Sequence, residues 1–130
     1  MKDISVQNIL KAISNSHSLD IFLSIAKDGA TSESLKENGG LTNKQYYSRI
    51  KKLRDIGVIQ IRKGHFSLTS LGAIVHHSQL VLEAGVNNYW KLKAIDSIQG
   101  SEQIGEQERL KLVKTVLFDN MIENILLKHA

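Results

Sequence analysis

The amino-acid sequence predicts a mainly α-helical protein with one small β-hairpin, an α+β fold class. Three observations lead to this prediction. Apolar residues recur at helical spacing along most of the 130 residues, the spacing changes to every second residue only within residues 58–68, and the chain contains no proline. Because proline interrupts helices, its absence allows long helical segments. We expect a mixed region at residues 1–70 and a helical region at residues 71–130.

Three helices are predicted in the first part of the mixed region. Asp3 is a suitable N-cap for the first helix, and apolar residues then recur at helical spacing. Residues 15–18 break that helix. A second helix follows and ends at Gly29, because glycine readily adopts the left-handed conformation that terminates helices. Residues 31–37 predict a short third helix, and residues 38–40, which read Asn-Gly-Gly, predict a turn.

The next helix is predicted over residues 42–56. Thr42 and Gln45 have the three-residue spacing of a capping box, in which each side chain accepts a hydrogen bond from the other residue's backbone N–H. Apolar residues at three-residue intervals predict the buried stripe of this helix: Tyr47, Ile50, Leu53 and Ile56. This stripe places Tyr47 in the core and Tyr46 at the margin of the outward face.

Residues 58–68 predict a β-hairpin around a two-residue turn, Lys63-Gly64. The register that follows has the cross-strand pairs Arg62–His65, Ile61–Phe66 and Ile59–Leu68. Residues that oppose each other across a hairpin share one side of it. A single register therefore directs all the large apolar residues of the hairpin's centre to the same, buried side: Ile59, Ile61, Phe66 and Leu68.

Two further helices are predicted over residues 71–95 and 106–128, with a loop at residues 99–101. Both helices carry more apolar positions than one small domain can cover, and the first carries them on two stripes. Surplus apolar surface of this kind is typical of an interface, so the sequence predicts a homodimer formed through the C-terminal helices. The alternative is an antiparallel pair of these helices that buries the surplus within one chain.

The positive charge of the chain is concentrated in one region. Residues 42–65 contain one acidic residue, Asp55, and seven basic residues, which gives a net charge of +6. The whole chain has a net charge of +4, so all the other residues together sum to −2. This distribution favours a polyanionic partner that binds the helix and the hairpin. The seven basic residues are Lys44, Arg49, Lys51, Lys52, Arg54, Arg62 and Lys63.

Several classes of protein are disfavoured. The chain has no cysteine, which excludes disulfides and thiolate metal sites. Neither a phosphate-binding glycine loop nor a catalytic constellation is recognisable, so we expect no enzyme and no cofactor. The adjacent His76 and His77 do not face each other on a helix, and we expect no metal site. A small-molecule effector pocket beside Tyr89 and Trp90 is an alternative that no other residue supports.

The sequence also carries a family resemblance. Residues 41–72 read LTNKQYYSRIKKLRDIGVIQIRKGHFSLTSLG. These 32 positions resemble the winged-helix regulators related to the MarR, ArsR and PadR groups, especially archaeal ones. The features that carry the resemblance are the Leu41-Thr42 start, the Arg49-Ile50 pair, Leu53, the Gly57-Val58-Ile59 exit and the Leu68-Thr69…Gly72 entry to the next helix. It implies a winged helix-turn-helix domain, with its recognition helix at residues 42–56 and its wing at residues 58–68, followed by long C-terminal dimerisation helices.

A recognition helix presents its outward residues to the base edges of the major groove. Asparagine and glutamine read adenine, arginine and lysine read guanine, and hydroxyl groups donate to phosphates. The expected DNA-binding residues are Thr42, Asn43, Lys44, Gln45, Tyr46, Ser48, Arg49 and Lys52 on the helix, and Arg62, Lys63 and His65 on the wing.

The function expected from these features is that of a sequence-specific transcriptional regulator, more specifically a repressor, that binds double-stranded DNA as a homodimer. A twofold dimer favours a palindromic site with its half-sites about 34 Å apart. No apolar run is long enough for a membrane helix, so we expect a cytoplasmic, nucleoid-associated protein. The alternatives are an architectural DNA-binding protein of low sequence specificity and a winged-helix module that binds other proteins.

Overall fold

The computed structural model describes residues 4–31, 42–99, 105–116 and 120–128. Its elements in chain order are α1 (Val6–Ser14), α2 (Ser16–Asp28), β1 (Ala30–Thr31), α3 (Asn43–Asp55), β2 (Ile59–Arg62), β3 (His65–Leu68), α4 (Ser70–Asn87), α5 (Tyr89–Gln99), α6 (Glu106–Val116) and α7 (Asn120–Lys128). The predicted fold class, mainly α with a small β-hairpin, is confirmed.

The chain divides into two compact units, Met1–His77 and Ser78–Ala130. The first turns of α4 therefore belong to the first unit, whereas the sequence placed the division at residue 70. The first unit has the larger core, which is formed by α1, α2, α3 and the hairpin. Its buried apolar residues are Ile9, Ile13, Ile21, Phe22, Ile25, Tyr46, Ile50, Leu53, Ile56, Val58, Ile59 and Phe66.

The first two helices follow one another with a single residue between them. The N-cap of α1 is Ser5, whose hydroxyl accepts a hydrogen bond from the Asn8 N–H at 3.1 Å. The prediction of Asp3 as N-cap was therefore wrong. The predicted four-residue break is only Asn15, whose side chain caps α2 by accepting from the N–H of residues 17 and 18. Gly29 ends α2 with φ 71°, as predicted.

The register of α3 differs from the prediction at its two tyrosines. Tyr46 is only 1% exposed and belongs to the core, whereas Tyr47 is 56% exposed. The reason is the helical repeat of 3.6 residues, or about 100° per residue. Tyr46 lies about 20° from Leu53 around the helix axis, whereas Tyr47 lies about 120° from it. A stripe built at constant three-residue steps drifts away from the core, and the prediction of Tyr47 as a core residue was wrong.

The hairpin has the predicted register, with the pairs Arg62–His65, Ile61–Phe66 and Ile59–Leu68. Lys63 and Gly64 have φ values of 53° and 76°, as a type I′ turn requires. Ile59 and Phe66 are buried and Leu68 packs against the core. Ile61, however, is 37% exposed, so the prediction that all the hairpin's central apolar residues are buried was wrong at this position.

A third strand extends the hairpin to a sheet of order β1-β3-β2. Ala30 pairs with Phe66, and Thr31 pairs with His65, both antiparallel. Thr31 is thus in a strand, which corrects the helix predicted to begin there. The rest of that predicted helix and the turn predicted at residues 38–40 lie outside the described residues. The extra strand covers the outer edge of β3 along these two residues.

The junction between the hairpin and α4 is tightly packed. The Thr69 hydroxyl donates to the Gly57 carbonyl and accepts from the Gly72 N–H at 3.0 Å, and the Thr69 N–H donates to the Val58 carbonyl at 3.2 Å. The helix backbone passes so close to the chain after α3 that a Cβ on Gly72 would lie 1.9 Å from the Val58 carbonyl oxygen. Only glycine fits there without a shift of the backbone, because this distance is far shorter than any ordinary non-bonded contact of a Cβ atom.

The second unit contains the end of α4 together with α5, α6 and α7. The continuous helix predicted over residues 71–95 is divided at Asn88, so that prediction was wrong. The Asn88 side chain donates to the Ala84 carbonyl at 2.7 Å, within the last turn of α4. Residues 106–128, predicted as one helix, contain α6 and α7, and residues 117–119 lie outside the described part. Among the described residues, Ile95, Val113 and Ile122 form the unit's buried core.

Two glycine-to-alanine substitutions in α4 should have opposite effects. Gly72→Ala drives a Cβ into the Val58 backbone, which cannot yield without separating α4 from the hairpin, so we expect a loss of at least about 3 kcal/mol of stability. At Gly85 an added Cβ meets nothing within 4 Å, and alanine should stabilise the helix by about 0.5–1 kcal/mol. Thermal unfolding followed by circular dichroism measures both. Equal melting temperatures for wild type and Gly72→Ala would contradict this packing.

Candidate nucleic-acid interface

The N-terminus of α3 is held by the predicted capping box. The Thr42 Oγ1 accepts from the Gln45 N–H at 3.2 Å, and the Thr42 N–H donates to the Gln45 Oε1 at 3.1 Å. Both residues are exposed, so the bonds form where the helix N-terminus meets solvent. A bidentate contact from Gln45 to adenine would require its Oε1 to accept a second hydrogen bond beside the one from the Thr42 N–H. The amide N–H groups of Gln45 are not used by the cap.

Four residues of α3 form one stripe that points away from the core, and we call it the reading face: Gln45, Ser48, Arg49 and Lys52. They have the i, i+3, i+4, i+7 spacing of a single helix face. Three of them are exposed and Arg49 is half-buried. Asn43 and Lys44, in the first turn, are also exposed. Their positions agree with the sequence prediction, and the exposed first turn is the part of a recognition helix that lies nearest to bases.

Tyr46 does not belong to this surface. Its side chain is buried in the core of the first unit, and its ring packs edge-on against Tyr47 with 5.3 Å between centroids. A buried phenol cannot contact DNA without unfolding of the helix, so the prediction of Tyr46 as a DNA-binding residue was wrong. Tyr46 instead sets the rotation of α3, and it thereby determines which residues form the reading face.

Arg49 occupies a distinct position on the reading face. Its Nε atom is buried and has no hydrogen-bond partner in the described part of the chain. Packing therefore holds the stem of the side chain, while the guanidinium retains unused hydrogen-bond donors. A planar guanidinium with free donors is the group that binds guanine or phosphate in bidentate fashion.

The hairpin presents its basic residues at the turn. Arg62, Lys63 and His65 are all exposed, and the cross-strand pairing of Arg62 with His65 places these two side chains on the same side of the sheet. His65 also pairs with Thr31 of β1, and its Nε2 lies only 2.5 Å from where a Cβ on Gly29 would be. The absence of a side chain at Gly29 thus leaves room for the imidazole, a contact that the sequence analysis did not foresee.

The basic residues of this region lack acidic partners in the part of the chain that the structure describes. None of the seven basic residues predicted to carry the positive charge forms an ion pair within the residues that the structure describes. Lys51 and Arg54, which the site prediction omitted, are exposed on another face of α3. Together with Tyr47, Ile50 and Asp55 they line a shallow groove. Their spacing from Tyr47, i+4 and i+7, would have identified this second stripe if Tyr47 had been assigned to the surface.

Other kinds of site find little support in the described residues. They contain no group of three or more histidine, aspartate or glutamate side chains that could hold a metal ion. His76 lies edge-on to Phe22, with ring centroids 6.4 Å apart. None of the described helices has the length and apolar character needed to cross a membrane.

Comparison with known proteins gives one similar structure. No protein-family model matches the chain, and no curated protein matches it in sequence. Among solved structures, an ArsR-like transcriptional regulator from Rhodococcus sp. RHA1 is similar, with 15% sequence identity and a TM-score of 0.49. The match covers 75% of this chain and 93% of that chain.

The capping box should contribute measurably to stability. Thr42→Ala removes the side-chain acceptor of the Gln45 N–H, and we expect it to lower the free energy of unfolding by about 1 kcal/mol. Thr42→Ser keeps the hydroxyl and is the matched control, with an expected change of a few tenths of a kcal/mol. Urea unfolding at equilibrium compares the two variants. A Thr42→Ala protein as stable as the serine variant would show that the cap does not hold α3.

Proposed function

We propose that this protein is a sequence-specific, double-stranded-DNA-binding transcriptional regulator that acts as a homodimer. The observation that carries the proposal is the set of seven basic side chains on α3 and the hairpin that have no ion-pair partner within the described residues. Uncompensated cations on one protein surface are the electrostatic footprint of a partner rich in phosphates. The capped helix among them has the diameter that a major groove admits.

In this proposal α3 lies in the major groove. Asn43, Lys44 and Arg49 reach base edges, with Arg49 on guanine, and Ser48 and Lys52 contact the groove or its phosphates. The hairpin turn lies against the adjacent backbone or the edge of the minor groove. Arg62 and Lys63 supply charge to phosphates there, and His65 donates a hydrogen bond. Phosphate contacts set the position on the duplex, and base contacts from α3 give the sequence preference.

The second unit supports the homodimer. Among the described residues of its helices, Leu82, Val86 and Trp90 follow one another at four-residue steps and are 69%, 66% and 78% exposed. Three large apolar side chains in a row on consecutive helices form the kind of patch that a partner covers. A second copy joined by a twofold axis is the commonest solution. It would present two α3 helices to a palindromic site, with half-sites about 34 Å apart.

We further propose that the protein represses transcription, in the cytoplasm and on the chromosome. Repression requires only that a bound dimer block the polymerase. None of the described surfaces suggests a site that would bind and recruit the polymerase. An architectural role is the competing function, because a basic helix and hairpin also bind duplexes without regard to sequence. The ratio of specific to non-specific affinity separates the two functions.

Two charge substitutions should affect DNA binding differently. Arg49→Ala should weaken binding to a duplex selected from a random pool by about 1–3 kcal/mol of binding free energy. It should also relax the base preference at one position. Lys63→Asn should weaken selected and scrambled duplexes alike and reduce the salt slope by about 1. Asparagine preserves the turn, because Asn-Gly is the preferred type I′ pair.

Fluorescence anisotropy on both duplexes measures these effects. If Arg49→Ala lowers affinity for every sequence by the same factor, Arg49 contacts only phosphate and the reading role proposed for it fails. Wild-type affinities that are equal for selected and scrambled duplexes would favour the architectural function. No binding of wild type to either duplex at low salt would favour a module that binds other proteins.

The dimer should depend on the exposed apolar row. Wild type should sediment at twice the chain mass of 14.5 kDa at micromolar concentration. Val86→Glu places a charge in the middle of the row and should give a monomer of unchanged helicity, because Val86 is exposed in one chain. Gln107→Glu makes the same charge change at another exposed position and serves as the control. A monomeric wild type, or a dimeric Val86→Glu protein, would contradict this interface.

A further inference from the structure

The groove on the second stripe of α3 contributes to the positive charge of the helix, but none of its residues has yet been given a contact. Its lining residues are Tyr47, Ile50, Lys51, Arg54 and Asp55. Tyr47 is 56% exposed, and the Lys51 and Arg54 side chains are exposed. Tyr47, Lys51 and Arg54 have the i, i+4, i+7 spacing of one helix face, which we call the second face. It therefore presents two cations and a phenol side by side.

The angle between the two faces of α3 is informative. At about 100° per residue, the second face lies about 140° around the helix axis from the reading face. The core-facing residues Tyr46 and Leu53 occupy the arc between them on the protein side. A helix with its side chains is about 10–12 Å across, and a B-form major groove is about 12 Å wide. A helix that fills the groove brings opposite faces against opposite walls, and each wall is the phosphate backbone of one strand.

The composition of the second face fits a phosphate wall better than base edges. Lys51 and Arg54 are cations without ion-pair partners in the described part of the chain. The ring of Tyr47 packs edge-on against the buried ring of Tyr46, with the rest of the side chain exposed beside the two cations. The groove's carboxylate, Asp55, is half-buried and already makes a contact of its own. The exposed cations therefore outnumber the anion at this surface.

We infer that Tyr47, Lys51 and Arg54 form a second phosphate-binding face, which takes the phosphate backbone on the major-groove wall farther from the reading face, while Arg49 on the reading face extends to the base edges. The inference rests on the proposed function and deepens it, because it makes α3 a clamp between both strands. Lys51 and Arg54 neutralise phosphates, and the Tyr47 hydroxyl donates to a phosphate oxygen. Their contacts position the helix and carry no base preference.

The test compares two double variants that remove two positive charges each. Lys51→Gln with Arg54→Gln keeps an unbranched polar side chain and the helix propensity, and Lys11→Gln with Lys27→Gln removes two charges from exposed residues of α1 and α2. Anisotropy against a duplex selected by wild type is recorded over a series of salt concentrations. The first double variant should reduce the log–log salt slope by about 2 and weaken selected and scrambled duplexes by the same factor, roughly tenfold or more. The control should match wild type.

Ethylation of individual phosphates then identifies the strand. Wild type should show interference on both walls of the groove, and the Lys51/Arg54 double variant should lose the interference on one strand only. Tyr47→Phe keeps the ring contact and should weaken both duplexes about three- to tenfold.

Each outcome decides the inference. An unchanged salt slope with unchanged interference would overturn it while leaving the proposed function intact. A changed base preference would also overturn it, because the face would then read bases. Absence of DNA binding by wild type would overturn the inference together with the proposed function.

Discussion

The rest of the first unit depends on one close backbone approach, that of Gly72 in α4 to the carbonyl of Val58. Thr69 reinforces this approach with hydrogen bonds to Gly57, Val58 and Gly72, and the bond from the Gly72 N–H to its hydroxyl caps the start of α4. Because Val58 lies between α3 and β2, the same contact holds the end of the basic helix and the root of the hairpin against α4. The two elements that carry most of the basic residues are thereby held in a fixed arrangement, as the proposed recognition of a duplex would require.

The second determinant is the burial of Tyr46, since it sets the rotation of α3 about its axis. With Tyr46, Ile50 and Leu53 in the core, the helix turns one basic stripe to each side and its capped N-terminus toward solvent. If α3 were rotated about its axis by the roughly 100° that separates Tyr46 from Tyr47, part of one of its two basic stripes would be buried. The pattern of exposed cations is thus a consequence of core packing. Which of the two tyrosine rings is buried determines which basic side chains of α3 are available to a partner.

Local patterns in the sequence predicted local structure well. The capping box of Thr42 and Gln45 and the register of the hairpin around Lys63-Gly64 depend on residues close in the chain, and both predictions are confirmed. The sequence analysis placed Tyr47 in the core instead of Tyr46, because two adjacent tyrosines are equally apolar. Only their angular positions relative to Leu53 around the helix axis distinguish them. The strand at Ala30–Thr31 is too short to leave a periodic pattern, and it forms only because β3 offers an edge. The break at Asn88 lacks glycine or proline, so composition did not reveal it.

The most direct test of the central claim, that the cations of α3 and the hairpin bind duplex DNA, is the salt dependence of wild-type binding. Anisotropy would be measured from about 50 to 200 mM salt with a duplex selected from a random pool and with a scrambled duplex of equal composition. About six phosphate contacts predict a log–log slope near −5, and the preference for the selected duplex should persist as salt rises. No binding at the lowest salt, or a slope near zero, would contradict the claim.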